Sequence, residues 1–168
     1  ASKAMEEGKT KYVPGKGTPE LQKAIQKKFR EDNNIDYQLD EIICGVGGKH
    51  IIYNAMMATI NPGDEVIITA PFWVSYPDIV LLAEGNPVIV ECPQSQNFKI
   101  TPEQLEKNIN SKTKWLMLNS PSNPTGSVYS KKELEDLALI LKKYPNVLIM
   151  CDDCLLYTSD AADDSLGV

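Results

Sequence analysis

The residues of this 168-residue chain that could do chemistry lie in polar turns, each of which follows an apolar run. In "GVGGKH" at 45–50, adjacent glycines precede a helical pattern, so backbone N–H groups and the helix dipole could bind an anion. In "PFWVSYP" at 71–77, Trp73 could present an aromatic face to a flat ligand. Both features also occur without a ligand, because glycines serve tight turns and tryptophan packs in ordinary cores.

Two further polar turns carry an amide and a carboxylate. "NSPSNPTG" at 119–126 holds Asn123 beside a proline, where a rigid backbone would fix the side-chain amide, although asparagine is also common in ordinary turns. Asp152 and Asp153 follow the apolar run "VLIMC", and a carboxylate near a desolvated interior needs a cationic partner or hydrogen bonds. An anion site, an aromatic face, a fixed amide and a carboxylate together suit a planar, phosphorylated, cationic heterocycle such as pyridoxal phosphate.

The elements that must position these turns are alternating helices and apolar strands. Helix starts are indicated by a threonine or serine N-cap before residues 19, 102 and 131, and a further helix follows the glycines at 47–48. Apolar runs predict the strands "EIICGV", "EVIITA", "PVIVEC", "KWLMLN" and "NVLIMCDD". This alternation predicts an α/β fold, a mostly parallel sheet with helices on both faces in three layers. Ligands bind beyond the carboxyl ends of such strands, where the polar turns lie.

Composition and charge exclude several classes of function. The chain is 42% hydrophobic and 24% charged, and its formal net charge of -6 argues against nonspecific binding to nucleic acid or an anionic membrane. No run is long and apolar enough to span a bilayer, and the first residues do not resemble a signal peptide. The cysteines at 44, 92, 151 and 154 favour reduced thiols. We therefore expect a cytoplasmic protein with no nucleic-acid or membrane partner.

Other kinds of site fit the motifs poorly. A dinucleotide fingerprint would need a glycine where His50 stands, and "GKT" at 8–10 lacks the earlier glycine of a nucleoside-triphosphate loop. Cys151 and Cys154 have the spacing of a redox or metal pair, but no second cysteine pair or histidine cluster accompanies them. We expect no metal, and we interpret His50 as a packing or surface residue.

Longer stretches resemble the large domain of class I aminotransferases, which are fold-type I pyridoxal-phosphate enzymes, and in particular the bacterial aspartate aminotransferases. The resemblance rests on "KYVPGKGTPELQKAIQKKF", "VGGKHIIYNAMMATINPGDEVIITAPFWVSYPDIV", "NSPSNPTGSVYSKKELEDLA" and "VLIMCDD". They occur in the family's order and spacing over about residues 8–153. "PSNPTG" together with "PFWVSYP" is far more specific than a lone glycine motif.

The resemblance implies a role in cofactor binding for each polar turn. Gly48 and Lys49 would give backbone N–H groups to the phosphate of pyridoxal phosphate, and Trp73 would stack on its ring. Asn123 would donate to the phenolic oxygen of the ring. Asp152 would pair with the protonated ring nitrogen, which keeps the ring an acceptor of electrons from the substrate.

The same resemblance implies partners. Tyr12 would reach the cofactor phosphate of a neighbouring subunit, so a homodimer is expected. The substrates would be an amino acid, aspartate or glutamate in particular, and a 2-oxo acid. Lys49, Trp73 and Asn123 would contact substrate, and we hypothesise that the Lys49 ammonium binds the substrate's distal carboxylate.

The chain departs from the family's pattern in its last part. The family's Schiff-base lysine follows the strand-end aspartate and has no counterpart here, so we expect no catalytic lysine in these residues and no activity from them alone. We divide the chain into a loop segment at 1–17, a partial cofactor-binding domain at 18–153 and a tail at 154–168 that resembles foreign sequence. Alternative functions are alanine, aromatic or prephenate aminotransferase, β-lyase, cyclopropane-carboxylate synthase, or an inactive truncated product.

Overall fold

The computed structural model describes residues 1–155, and the predicted tail lies almost wholly outside the described residues. The chain divides into two compact units, Ala1–Ile51 and Ile52–Val168. The division falls inside the range 18–153 that we assigned to one partial domain, and that assignment stays a prediction.

The first unit is built around one amphipathic helix. Helix α1 (Ser2–Glu6) precedes helix α2 (Pro19–Asn33), whose N-cap hydroxyl on Thr18 accepts a hydrogen bond from Leu21 N. Gln22 is 3% exposed, and its side-chain amide donates to Leu39 O at 3.1 Å and to Ile42 O at 2.6 Å. A buried amide satisfied in this way ties the segment after the helix back onto it.

Two expectations for this unit are wrong. Residues 1–17 are not wholly loop, because they contain α1. The predicted strand at 41–46 does not form: residues 39–41 are a 3₁₀ turn, and Ile43 and Val46 are exposed. A strand needs a ladder of backbone hydrogen bonds to a neighbour. This stretch instead bonds to the segment before α2, where Cys44 N donates to Lys16 O.

The second unit is a parallel sheet with alternating helices, as the sequence predicted. After helix α3 (Gly48–Thr59), whose first turn belongs to the first unit, come strand β1 (Glu65–Ala70), helix α4 (Ser75–Leu82) and strand β2 (Asn86–Glu91). Helix α5 (Pro102–Asn108), strand β3 (Thr113–Asn119), helix α6 (Lys131–Leu141) and strand β4 (Leu148–Asp152) follow. All four strands pair in parallel in the order β2-β1-β3-β4.

Alternate residues of the strands build a core on each face of the sheet. On one face, Ile67 and Leu116 pack with Leu105 and Leu137 of α5 and α6. On the other face, strand residues pack with α3 and α4, for example Val66 with Val80. Continuous apolar strands are thus buried on both sides, and the predicted three-layer arrangement is confirmed.

The connections reverse direction beside β1. The chain leaves β1 for β2 over the α4 face, and it returns past β1 to β3 over the opposite face through α5. The carboxyl ends of β1 and β3 therefore flank a topological switch point, which is where α/β sheets of this kind bind ligands. Among residues 1–155, no helix combines the length and the apolar character that crossing a membrane requires.

Candidate functional site

A small cleft lies at the switch point, between the carboxyl ends of β1 and β3. It is lined by Ile68, Thr69, Pro71, Phe72, Tyr76, Met117, Asn119, Ser122 and Asn123. Its volume of about 10 Å³ has room for roughly one water. A ring-sized ligand would therefore bind over this cleft and not inside it.

The turn after β1 places an aromatic pair beside the cleft. Tyr76 N donates to Trp73 O at 3.0 Å, and the two rings meet edge to face with centroids 5.4 Å apart. Trp73 is half-buried and packs against the core on the α4 face, whereas Tyr76 is only 3% exposed. The tryptophan ring is thus held by packing at the rim.

The Asp152 carboxylate at the end of β4 is held by hydrogen bonds to both oxygens. The Tyr76 hydroxyl donates to Oδ2 at 2.6 Å, and the backbone N–H of Cys154 donates to Oδ1 at 3.1 Å. Burial is the largest cause that raises the pKa of the Tyr76 hydroxyl well above its ordinary value, and the hydrogen bond to the Asp152 carboxylate and its negative charge raise this pKa further. The Tyr76 hydroxyl therefore keeps its proton at physiological pH and donates a hydrogen bond to this carboxylate.

Asn119, the last residue of β3, links two of the predicted site residues. It stands opposite Asp152 in the strand register, and its Nδ2 donates to Asp152 O at 2.8 Å. Its Oδ1 accepts from the backbone N–H of Asn123 at 2.7 Å. One side chain thus joins the strand-end aspartate to the turn that carries Asn123.

The turn that carries Asn123 is closed by its own backbone. Ser122 N donates to Ser127 O at 3.0 Å, and Gly126 N donates to Ser122 O at 2.7 Å. Gly126 has a φ of +71°, which glycine adopts without steric cost. Asn123 is exposed, and within the part of the chain that the structure describes its side-chain amide makes no hydrogen bond. That amide is oriented by a closed turn and is available to a ligand.

The structure brings Trp73, Asn123 and Asp152 into one connected set of contacts, through two residues that the sequence analysis missed. Tyr76 lies in the first turn of α4, three residues after Trp73, which precedes the helix. Asn119 ends the predicted strand "KWLMLN" and opens the motif "NSPSNPTG", but the sequence analysis gave it no role in the site. The binding roles of the predicted residues stay predictions.

The remaining predicted residues belong to the first unit. Gly48 begins α3 and Lys49 follows it, and both are exposed. A side-chain carbon added at Gly48 would meet no atom within 4 Å, so the helix start is open enough for an anion. Tyr12 is fully exposed. His50, interpreted as a packing or surface residue, is exposed, and its Nδ1 accepts from Val46 N at 3.3 Å.

No set of metal-ligating side chains is found in residues 1–155. The four cysteines are free thiols in the structure, and two of them, Cys151 and Cys154, are exposed.

Comparison of the sequence with known proteins finds aminotransferases. A family model described as "Aminotransferase class I and II" matches residues 1–154. A "Probable aspartate/prephenate aminotransferase" of Rickettsia bellii is 58% identical over 153 residues, which is 91% of this chain and 38% of that protein. The "Aspartate/prephenate aminotransferase" of Cereibacter sphaeroides is 53% identical, again over 91% of this chain and 38% of the relative.

Solved structures that resemble this chain are also aminotransferases. The crystal structure of the aspartate aminotransferase from Rhizobium meliloti superimposes with a TM-score of 0.88 at 49% identity, covering 90% of this chain and 38% of that one. The Thermus thermophilus aspartate aminotransferase with maleate gives a TM-score of 0.84 at 43% identity, covering 89% and 39%. The chain therefore spans about 38% of the length of the relatives it matches.

Proposed function

The chain belongs to the class I and II aminotransferases, and we propose that the full-length protein is a pyridoxal-phosphate enzyme that transfers an amino group from an amino acid to a 2-oxo acid. This chain would form the amino-terminal part of its cofactor site. The observation that carries the proposal is the connected set of Trp73, Asn123 and Asp152 at the switch point of the sheet. Aspartate and glutamate are the expected amino donors.

The residues of the second unit fit the chemistry of the cofactor. Within residues 1–155, each carboxylate oxygen of Asp152 accepts one hydrogen bond, and a carboxylate oxygen can accept two. The carboxylate therefore keeps capacity to accept from a protonated ring nitrogen. The exposed Asn123 amide can donate to the phenolic oxygen of the ring.

The first unit offers the expected anion site. The first turn of α3 begins at Gly48 and Lys49, and the N–H groups and positive dipole end of a helix start suit a phosphate. When bound, pyridoxal phosphate supplies the electron sink that makes the substrate's α-proton acidic. The role of this chain's residues is to bind the cofactor, to orient it, and to hold the proton on its ring nitrogen through Asp152.

The test exchanges Asp152 for asparagine in the full-length protein. Loss of a charge-assisted hydrogen bond of about 1.5–3 kcal/mol weakens pyridoxal-phosphate binding roughly 10- to 100-fold, with amino transfer from aspartate lowered as well. The matched control is Asp153→Asn, because Asp153 is adjacent and exposed. Cofactor affinity is followed by absorbance titration. Equal effects of the two substitutions, or no binding of pyridoxal phosphate by the unaltered protein, would refute the proposal.

Preference for dicarboxylic substrates is assigned to Lys49. The relatives are named for aspartate and prephenate, both of which carry a second carboxylate. The Lys49 side chain is exposed at the start of α3, where an ammonium can meet that carboxylate. Lys49→Gln should lower kcat/KM for aspartate about tenfold relative to alanine while cofactor affinity is kept, and Lys23→Gln on α2 is the control. Unchanged relative rates would contradict this role.

We also propose a homodimer in the cytoplasm, in which Tyr12 reaches the cofactor phosphate of the second copy. The support is the full exposure of the Tyr12 side chain in the first unit, with Thr10 and Lys11 beside it. Sedimentation of the full-length protein measures the assembly state. In the dimer, Tyr12→Phe should weaken pyridoxal-phosphate binding severalfold, whereas a monomer that binds the cofactor normally would exclude the arrangement.

A further inference from the structure

Asn119 uses both ends of its side-chain amide on backbone atoms of two other site residues. Nδ2 donates to Asp152 O at 2.8 Å, and Oδ1 accepts from Asn123 N at 2.7 Å. The side chain is half-buried at the carboxyl end of β3, the strand between β1 and β4. It therefore spans the gap between the end of β4 and the turn after β3.

The two partners determine the orientation of this amide. A backbone carbonyl only accepts and a backbone N–H only donates, so exchanging the amide's oxygen and nitrogen would place donor against donor and acceptor against acceptor. An aspartate at this position would offer only acceptors when ionised, and an alanine neither group. Of these three, the asparagine alone satisfies both ends.

The two linked residues otherwise belong to separate segments. The ladder between β3 and β4 ends at the pair Asn119 and Asp152, and Asn123 lies beyond it in the turn. Asp152 reaches its other partners through its carboxylate, which bonds Tyr76 and the backbone of Cys154. The Asn119 amide is thus a direct side-chain link between the Asp152 main chain and the Asn123 main chain.

We propose that Asn119 is a positioning residue that sets the separation of Asn123 from Asp152, so that one ring could contact both at the same time, its nitrogen at Asp152 and its phenolic oxygen at Asn123. The inference rests on the proposed function, because it takes these two residues as cofactor contacts. Its consequence is energetic coupling: without the Asn119 amide the two contacts no longer hold a common geometry, and each loses part of its effect on cofactor binding.

The first experiment tests the link without any cofactor. Exchange of the Asn123 backbone amide hydrogen is measured by NMR in the full-length apo-protein and in Asn119→Ala. The control is Asn108→Ala, since Asn108 is a half-buried asparagine whose Nδ2 donates to a backbone carbonyl, Gln104 O, at 2.8 Å. Exchange at Asn123 should become at least about tenfold faster in Asn119→Ala only. Equal exchange in the two variants would overturn the proposal.

The second experiment measures pyridoxal-phosphate affinity by absorbance titration. Asn119→Ala should raise the Kd about tenfold, and Asn108→Ala should leave it within twofold. In an Asp152→Asn background the same alanine substitution should raise the Kd less than about threefold, whereas in a Trp73→Phe background it should keep its full effect. Full additivity with Asp152→Asn would overturn the proposed coupling.

A third variant, Asn119→Asp, separates the two hydrogen bonds of the Asn119 amide. Asn119→Asp retains the acceptor for the Asn123 N–H but loses the donor to Asp152 O, so it should protect Asn123 from exchange and still weaken cofactor binding. If this variant bound cofactor as tightly as the unaltered protein, the link to Asp152 would have no positioning role. If the unaltered protein bound no pyridoxal phosphate, the proposed function would fail, while the exchange result would still decide whether the link exists.

Discussion

Replacing Tyr76 by phenylalanine removes a single oxygen atom from the candidate site. That oxygen donates to Asp152 Oδ2 at 2.6 Å from a side chain that is 3% exposed. The phenyl ring would keep its edge-to-face contact with Trp73 and its place in the core on the α4 face. The substitution therefore isolates one hydrogen bond to a charged group.

The expected cost follows from the burial of the two partners. A hydrogen bond to an ionised group contributes about 1.5–3 kcal/mol to stability. Asp152 is only half-buried, so water can partly replace the lost hydroxyl, and we expect the lower end of that range, about 1.5 kcal/mol. Phenylalanine leaves no donor without a partner, and the acceptor that loses its donor, Asp152 Oδ2, belongs to the half-buried carboxylate whose access to water is already counted.

The assay is urea unfolding of the full-length apo-protein, compared with Tyr53→Phe. Within the described residues the Tyr53 hydroxyl makes no hydrogen bond, and its loss should change the free energy of unfolding by less than about 0.5 kcal/mol. In an Asp152→Asn background the cost of Tyr76→Phe should fall by about 1 kcal/mol, because the acceptor is then neutral. A cost equal to that of Tyr53→Phe, or one unchanged by Asp152→Asn, would refute the reasoning.

Two further predictions concern elements that support the site. The Lys99 ammonium and the N-cap serine of α6 hold the pKa of Glu133 at about 2, below its ordinary value of 4.5. Because the folded pKa is the lower one, this group stabilises the fold above pH 4.5 and loses that effect as pH falls toward 2, so Glu133→Gln should flatten this part of an acid-unfolding curve. Gly126 has a φ of +71°, and Gly126→Ala should cost about 1 kcal/mol of unfolding free energy, whereas Gly15→Ala, without a positive φ, should cost less.

Local sequence signals predicted most elements of the second unit because those signals act over a few residues. The capping boxes at Thr101 and Ser130 satisfy the first N–H groups of their helices, and both are present in the structure. The apolar runs at 65–70 and 113–119 form strands because neighbours on either side complete their ladders. The run at 41–46 is just as apolar and forms no strand, because an apolar run alone does not provide the second half of a ladder.

The candidate site likewise contains some residues that the sequence indicated and others that it did not. Trp73, Asn123 and Asp152 were found from residue type and from their place after apolar runs. Tyr76 and Asn119 were missed because their partners lie far along the chain: 76 residues separate Tyr76 from Asp152, and 33 separate Asn119 from it. Such pairs depend on which strands are neighbours and in which register, and neither follows from the local pattern.

Sequence reasoning established most helices and strands of the second unit, the helix starts at residues 19, 102 and 131, and the family, whereas the residues expected to bind a phosphorylated cationic ring stay predictions. Three features could be seen only in the folded chain: the strand order β2-β1-β3-β4, the reversal of the connections beside β1, and the hydrogen bonds that join the site residues. The two groups of features differ in how far apart along the chain the interacting residues lie. Caps and periodicity act between residues a few positions apart, whereas sheet order results from burying both faces of the strands at once, which is a property of the whole unit.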